Sequence, residues 1–429
     1  MASVVIAVQL ALGIGFLVAR LSAPVDESSA SVEPSYSAQA YAQMQGILTS
    51  RGVALTRRSK AAFLAGIDPA STAFRATQER LYDNLGKLPF STLSYVLDSS
   101  QRLRLPAAAA AHYGAAHTYV GLVQFTSALT GFDLVPSVEV QYLTFVQRGT
   151  RWYLAADSDL DSTDQRTTRG LWDLAPIDTL TSENVAVVYA PDQRALAAQC
   201  LAAAQRAVRR VAAVWSTGWT HEVVIIVPEP SMVAQLTSSG SDLTQIAAMT
   251  TAETTGAGGP PTGTRVVINP PAFRTLSRFG ADVLLTHEIT HVAARRTTSQ
   301  STPLWLAEGF ADYVGYLSTG LSARSVAREL AADLAAGRPL GDLPLQSDFD
   351  GSNPRLASTY QKAWLACRLI AARAGQAGLI RFYRMVSEAG TDPDTATATG
   401  LREVLGMTTP QFVAAWQSYV RAQLTPPRT

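Results

Sequence analysis

The period of hydrophobic and polar positions changes several times along the chain, and each change marks an element. Residues 3–19 (SVVIAVQLALGIGFLVA) are an apolar run without charge, with Gln9 as their one strongly polar side chain. As a helix they would extend about 25 Å, close to the thickness of bilayer hydrocarbon. Segment 1–20 therefore reads as a membrane anchor or signal segment. No Lys or Arg precedes the run, and Pro24 follows Ala23, the best small residue for a cleavage site. An uncleaved single anchor at the cell membrane, with the domains extracytoplasmic, is the preferred expectation. Cleavage would give a secreted protein, and a buried soluble helix is the remaining alternative. Residues 21–37, rich in Ser, Ala, Pro and acid, have the composition of a linker.

A first domain is expected over 38–172. Helical patterns cover 38–67, with a break near Arg51-Gly52, and 70–86, followed by Pro89. Strand-like alternation then appears over 138–146 and 151–155, joined by Gln147-Arg148-Gly149-Thr150, which predicts a hairpin. Helices first and a meander after predict an α+β cone, and this layout resembles the cystatin-like and nuclear-transport-factor-like folds. No catalytic constellation stands in this segment. His112 and His117 read as ordinary surface or satisfied histidines rather than metal ligands.

The pattern from 184 to 424 is different. Short apolar strands are expected at 185–189 and 223–227, on either side of a long Ala/Arg amphipathic helix at 192–215. Short helices are expected at 231–236 and 242–249. A Gly/Pro loop follows at 254–263, a candidate mobile rim for a cleft. The strand 265–269 would be an edge able to pair with an extended substrate, or else an ordinary edge strand. The remainder reads as helical.

Composition narrows the function classes. Apolar residues make up 47% of the 429, which excludes a disordered chain. A net charge of +1 leaves no basic footprint, so no nucleic-acid partner is expected. Cys200 and Cys367 lie in Ala-rich helical stretches and read as buried small hydrophobes, with a disulfide as the alternative.

Candidate chemistry is concentrated at His287-Glu288-Ile289-Thr290-His291. On a helix, the i, i+4 spacing puts both imidazoles on one face, where they can share a zinc ion. Glu288 stands beside them, placed to take a proton from water that the metal has acidified. A catalytic zinc wants a third protein ligand. A metzincin-type extension would need a glycine and then a histidine where this chain has Ala294 and Thr297, so that pattern is absent. Downstream, Glu308 would open a second helix after a Ser/Thr-rich turn at 297–303 and is the candidate third ligand. Asp312 shares its face and could accept a hydrogen bond from the far nitrogen of a ligand histidine. The alternative for Asp312 is a solvated helix carboxylate.

The set His287-Glu288-x-x-His291 followed by Trp305-Leu306-x-Glu308-Gly309-x-Ala311-Asp312 resembles the gluzincin zinc metallopeptidases. Its wording is closest to the aminopeptidase-like branch, and it is also similar to actinobacterial membrane-anchored proteins with a peptidase-like gluzincin domain. The resemblance implies zinc at His287, His291 and Glu308, with Glu288 as general base and acid. It also implies a C-terminal Tyr or His that stabilises the oxyanion. Tyr360 is the candidate, with Tyr313, Tyr316 and His221 as competitors. The chain has no Gly-Ala-Met-Glu-Asn segment before the metal helix, and its loop between the second and third ligands is shorter than the aminopeptidase one. Both departures count against aminopeptidase specificity.

The sequence thus predicts an α+β protein: an anchor, an α+β accessory domain, then a gluzincin-like catalytic domain with a small sheet and a mostly helical C-terminal half. The expected activity is zinc-dependent hydrolysis of peptide bonds in a peptide or protein substrate. The alternatives are a zinc-holding pseudoenzyme or scaffold of the cell envelope, and a zinc hydrolase acting on another amide or ester.

Overall fold

The computed structural model describes residues 36–101, 103–114, 117–237, 246–254 and 261–425. The expected anchor and most of the linker lie outside these residues. Among the described residues no helix is long and apolar enough to cross a membrane. The chain is mixed α+β and divides into two compact units, with the boundary between Thr179 and Leu180; residues 252–254 and 261–264 belong with the first unit.

The first unit opens with α1 (Ala38–Thr56), α2 (Lys60–Leu64) and α3 (Thr72–Leu85). Then follow β1 (Phe90–Asp98), α4 (Ala107–His112), β2 (Thr118–Leu129), β3 (Ser137–Arg148), β4 (Arg151–Ala156) and α5 (Leu171–Leu174). The four strands form an antiparallel meander in sequence order. Helix α1 runs straight through Arg51-Gly52, where a break was expected. Gly52 is needed for close approach, since a Cβ there would sit 3.2 Å from the Leu93 carbonyl. The chain turns instead at Arg58, whose φ is 53°, and Ser59 caps α2 through the Ala62 amide. The β3–β4 hairpin stands where the alternation placed it, with Gly149 at φ +62° in the turn. The sequence pattern does not announce β1 and β2. Strand β2 is buried at most positions, and its Val123 and Phe125 pack with Met44, Leu48 and Phe145 in the core, so it lacks the alternation of a half-exposed strand.

The rest of the chain begins with β5 (Asp178–Thr181), β6 (Val185–Tyr189), α6 (Arg194–Val214), β7 (Val223–Val227) and α7 (Val233–Thr237). It continues with β8 (Ala248–Thr254), β9 (Pro261–Ile268), α8 (Pro270–Phe273), α9 (Arg278–Ala294) and α10 (Leu304–Tyr316). The final helices are α11 (Ala323–Val326), α12 (Arg328–Ala335), α13 (Leu356–Ser387), α14 (Pro393–Leu405) and α15 (Thr409–Leu424). The sheet order is β5-β6-β7-β9-β8, with β6, β7 and β9 mutually parallel. Strands β6 and β7 are wholly buried, which explains their unbroken apolar runs. Helix α6 covers them with Ala197, Cys200, Ala204 and Val211. Cys200 and Cys367 are both buried and free, as small hydrophobes.

Two expectations change here. Residues 248 and 249, expected to end a short helix over 242–249, instead open strand β8; 242–245 lie outside the described residues. Ala247, Ala248 and Met249 favour helix, but tertiary pairing overrides them. Asn269 holds the start of β8 in place, its side-chain amide donating to the Ile246 carbonyl at 2.8 Å and its backbone amide to the Ala247 carbonyl at 2.9 Å. Strand β9, expected at the edge, is interior, and β8 takes the edge.

Helix α10 packs against both α9 and α13. A Cβ on Gly309 would meet the Ala363 carbonyl carbon at 2.6 Å and Cys367 Sγ at 3.0 Å, so α10 and α13 approach to backbone contact. On the α9 side, a Cβ on Gly315 would lie 3.3 Å from the Val283 carbonyl. These two approaches bring the carboxylates of α10 to the histidines of α9.

Candidate metal centre

Helix α9 starts at Ser277, whose hydroxyl accepts from the Gly280 amide at 3.1 Å. Asp282 in its second turn pairs with Arg206 of α6, at 2.5 Å in the shortest of three contacts, which fixes α9 along α6. Every residue from Val283 to His291 is buried. A helix section buried on all sides must satisfy its polar side chains from within the protein. Thr286 and Thr290 do so by donating back to the carbonyls of Asp282 (2.6 Å) and Thr286 (2.7 Å). His287, Glu288 and His291 need partners from other elements.

Those partners come from α10 and β8. His287 Nε2 lies 2.9 Å from His291 Nε2. Glu308 Oε2 lies 3.2 Å from the first and 3.6 Å from the second. These three atoms, from the residues expected as ligands, form a triangle that could hold a metal ion, all within 4.8 Å of one another. Zinc–ligand bonds of 2.0–2.2 Å in a tetrahedron place neighbouring donors about 3.3 Å apart. The observed separations bracket that value. Both oxygens of Glu308 are buried without a hydrogen-bond donor, an arrangement that is costly unless a cation completes it. Two imidazoles and one carboxylate are a donor set suited to zinc. The residues fit the ion.

Asp312 Oδ1 lies 2.8 Å from His287 Nδ1, as anticipated for a carboxylate behind a ligand histidine. With Nδ1 as the donor in that bond, Nε2 presents its lone pair to the triangle. Thr250, on β8, was not foreseen. Its hydroxyl donates to Glu288 Oε2 at 2.6 Å and approaches the Glu288 carbonyl at 3.2 Å. Glu288 Oε1 is buried and has no hydrogen-bond partner.

The electrostatics follow from burying several charges together. Burial opposes charge on His287, yet Asp312 and Glu308 lift its pKa to about 10. Burial also opposes charge on Glu308, but His291 and His287 hold it at about 2. Burial lowers His291 and raises Asp312. Burial raises Glu288 to about 7, against the pull of His287 and Thr250. Two carboxylates around paired imidazoles make a site that favours positive charge, which a divalent metal would supply.

The remaining candidates are placed as follows. Tyr360 is buried in the second turn of α13, edge-on to Phe349 with ring centroids 5.2 Å apart. It lines a cavity of about 290 Å³ together with Asp312, Tyr316, Gln361 and Trp364. Tyr316 packs on Trp364 at 5.7 Å, and Tyr313 is partly buried beside the same core. His221 stacks edge-on to Trp219, and its Nε2 is buried without a partner. His112 and His117 are exposed, as expected.

No family model matches the chain, and no curated protein matches it. Among solved structures the chain is similar to a mutant two-domain M1 zinc metallopeptidase bound to L-arginine, at 15% identity and a TM-score of 0.32, covering 74% of this chain and 62% of that one. It is also similar to a mutant M1 zinc metallopeptidase from Deinococcus radiodurans, at 15% identity and a TM-score of 0.33, covering 73% and 63%. The chain thus spans under two thirds of the length of either solved structure.

Proposed function

We propose that this chain is a zinc-dependent peptidase with its catalytic centre on α9 and α10. One observation carries the reading: His287 Nε2, His291 Nε2 and Glu308 Oε2 converge within 4.8 Å, beside Glu288 on the same helix. When bound there, zinc supplies a Lewis acid that lowers the pKa of a water to about 7 and polarises a carbonyl. Glu288 takes the proton at Oε1, the oxygen that lacks a protein partner, and returns it to the leaving amine. Thr250 holds the other oxygen and keeps the carboxylate oriented. Asp312 fixes the His287 ring, so that Nε2 rather than Nδ1 faces the ligand triangle. Strand β8, at the edge of the sheet and bearing Thr250, offers backbone groups to an extended peptide.

We further propose that segment 1–20 anchors the protein in the cell membrane and that its substrate is an extracytoplasmic peptide or protein. The test is digestion of a mixed peptide library by the zinc-loaded protein, read by mass spectrometry beside Glu288→Gln. New cleavage products that vanish in the variant and on chelation support peptidase activity. Identical product lists for the two proteins contradict it.

A further inference from the structure

Among the described residues two arginines are deeply buried, Arg51 and Arg295. Arg51 is provided for: it donates to Gln78 Oε1 at 2.5 Å and to the Phe63 carbonyl at 3.4 Å, and its guanidinium lies 3.9 Å from the Phe63 ring centroid. Arg295 is 5% exposed, and its Nε is buried without an acceptor. Among the described residues its guanidinium makes no hydrogen bond, ion pair or ring contact.

Its place on the helix is informative. Arg295 caps the C-terminal end of α9. It follows His291 by four residues, so it extends the histidine face by one turn, about 6 Å along the axis. It acts electrostatically on His291 and on Tyr383. Tyr383 does not supply the missing anion: its hydroxyl is bonded to Thr298 Oγ1 at 2.7 Å, and burial keeps it protonated. A guanidinium remains charged at any physiological pH, so an Nε buried without an acceptor is costly until an anion completes it. Its planar fork of donors matches a carboxylate in bidentate geometry.

We infer that Arg295 anchors a carboxylate of the substrate one helical turn from the His287–His291–Glu308 triangle. The substrates are then peptides that present a carboxylate close to the scissile bond. This rests on the peptidase reading above and deepens it. The carboxylate can come from a free C-terminus or from an Asp or Glu side chain, and the two sources are separable by experiment.

The experiment uses the zinc-loaded full-length Glu288→Gln protein, so that ligands are not consumed. Calorimetry compares acetyl-Ala-Ala as the free acid, acetyl-Ala-Ala amide, and acetyl-Ala-Glu amide. At least one carboxylate ligand should bind about 10-fold or more tighter than the neutral amide, as expected for a charge-assisted bidentate pair. Tightest binding of the free acid identifies a C-terminus as the source, and tightest binding of acetyl-Ala-Glu amide identifies a side chain. Adding Arg295→Gln should remove the preference while zinc content stays the same, and Arg295→Lys should restore part of it. Equal binding of all three ligands, no measurable binding of either carboxylate ligand, or a preference that survives Arg295→Gln overturns the inference. The comparison of acid with amide needs no Arg295 variant, so misfolding of Arg295→Gln does not decide it. Library cleavage without a carboxylate preference would sink this inference alone. Carboxylate binding without any cleavage would sink the peptidase reading alone.

Discussion

The Thr250 hydroxyl donates a 2.6 Å hydrogen bond to Glu288 Oε2, and both residues are completely buried. A strand at the edge of the sheet thus orients a carboxylate on the metal-site helix. One carboxylate oxygen is occupied, and the other, Oε1, is buried without a hydrogen-bond partner.

Thr250→Val keeps the shape and removes the donor. A hydrogen bond to a charged group contributes about 1.5–3 kcal/mol, so kcat on any peptide cleaved by the wild type should fall about 10- to 100-fold. Zinc content should not change, and Thr250→Ser should recover most of the rate. Full activity in the valine variant would remove Thr250 from the account.

Glu288→Gln should keep zinc and lose hydrolysis by about 10²–10⁴-fold, the range for a positioned acid–base group. Single-turnover cleavage assays beside elemental analysis separate the two effects. A variant that retains its rate would show that another group moves the proton.

Asp312→Asn should weaken zinc binding about 10- to 100-fold without unfolding the protein, because the His287 ring loses its charged partner. Competition with a chromophoric chelator reads the affinity directly. An unchanged affinity would make Asp312 a bystander.

Gly309→Ala probes the approach of α10 to α13. The new methyl would lie 2.6 Å from the Ala363 carbonyl carbon, and backbone cannot yield as a flexible side chain can. A destabilisation of about 1–3 kcal/mol or more is expected, seen as a lower melting temperature and weaker zinc retention. A melting temperature equal to that of wild type would mean the two helices can separate without cost.

Asp173, in the first unit, gives a pH signature separate from the metal. Burial raises its carboxyl to about 7, partly offset by the hydrogen bond from the Gly170 amide. An unfolded Asp titrates near about 3.9, so the folded state holds the proton more tightly. The resulting stability is fully present below about pH 3.9 and is lost as pH rises through the folded value of about 7. Asp173→Asn should flatten the fall in melting temperature between about pH 4 and about pH 7. The same slope in both proteins would assign it to other groups.

How far the site was legible depends on the range of each signal. His287 and His291 share a face by the period of one helix, and Glu308 and Asp312 by the period of the next, but the approach of α10 to α9 that brings the two pairs together is a tertiary fact. Thr250 carried no local sign: a hydroxyl in a strand with three threonines is ordinary, and only pairing across the fold brings it to Glu288, 38 residues away. Arg295 did have a signal, its four-residue step from His291, but its burial is a tertiary fact. In the fold, β6, β7 and the β3–β4 hairpin were readable from apolar runs and a glycine turn. Strand β8 was not, because Ala248 and Met249 favour helix until β9 and Asn269 hold them extended.

That α9 and α10 together hold one metal ion is tested most directly by metal content. The full-length protein, purified in detergent and exposed to zinc, is measured by elemental mass spectrometry beside His291→Ala. About one zinc per chain is expected in the wild type, lost in the variant. No zinc in the wild type, or the same zinc in both proteins, would contradict a shared metal centre on these two helices.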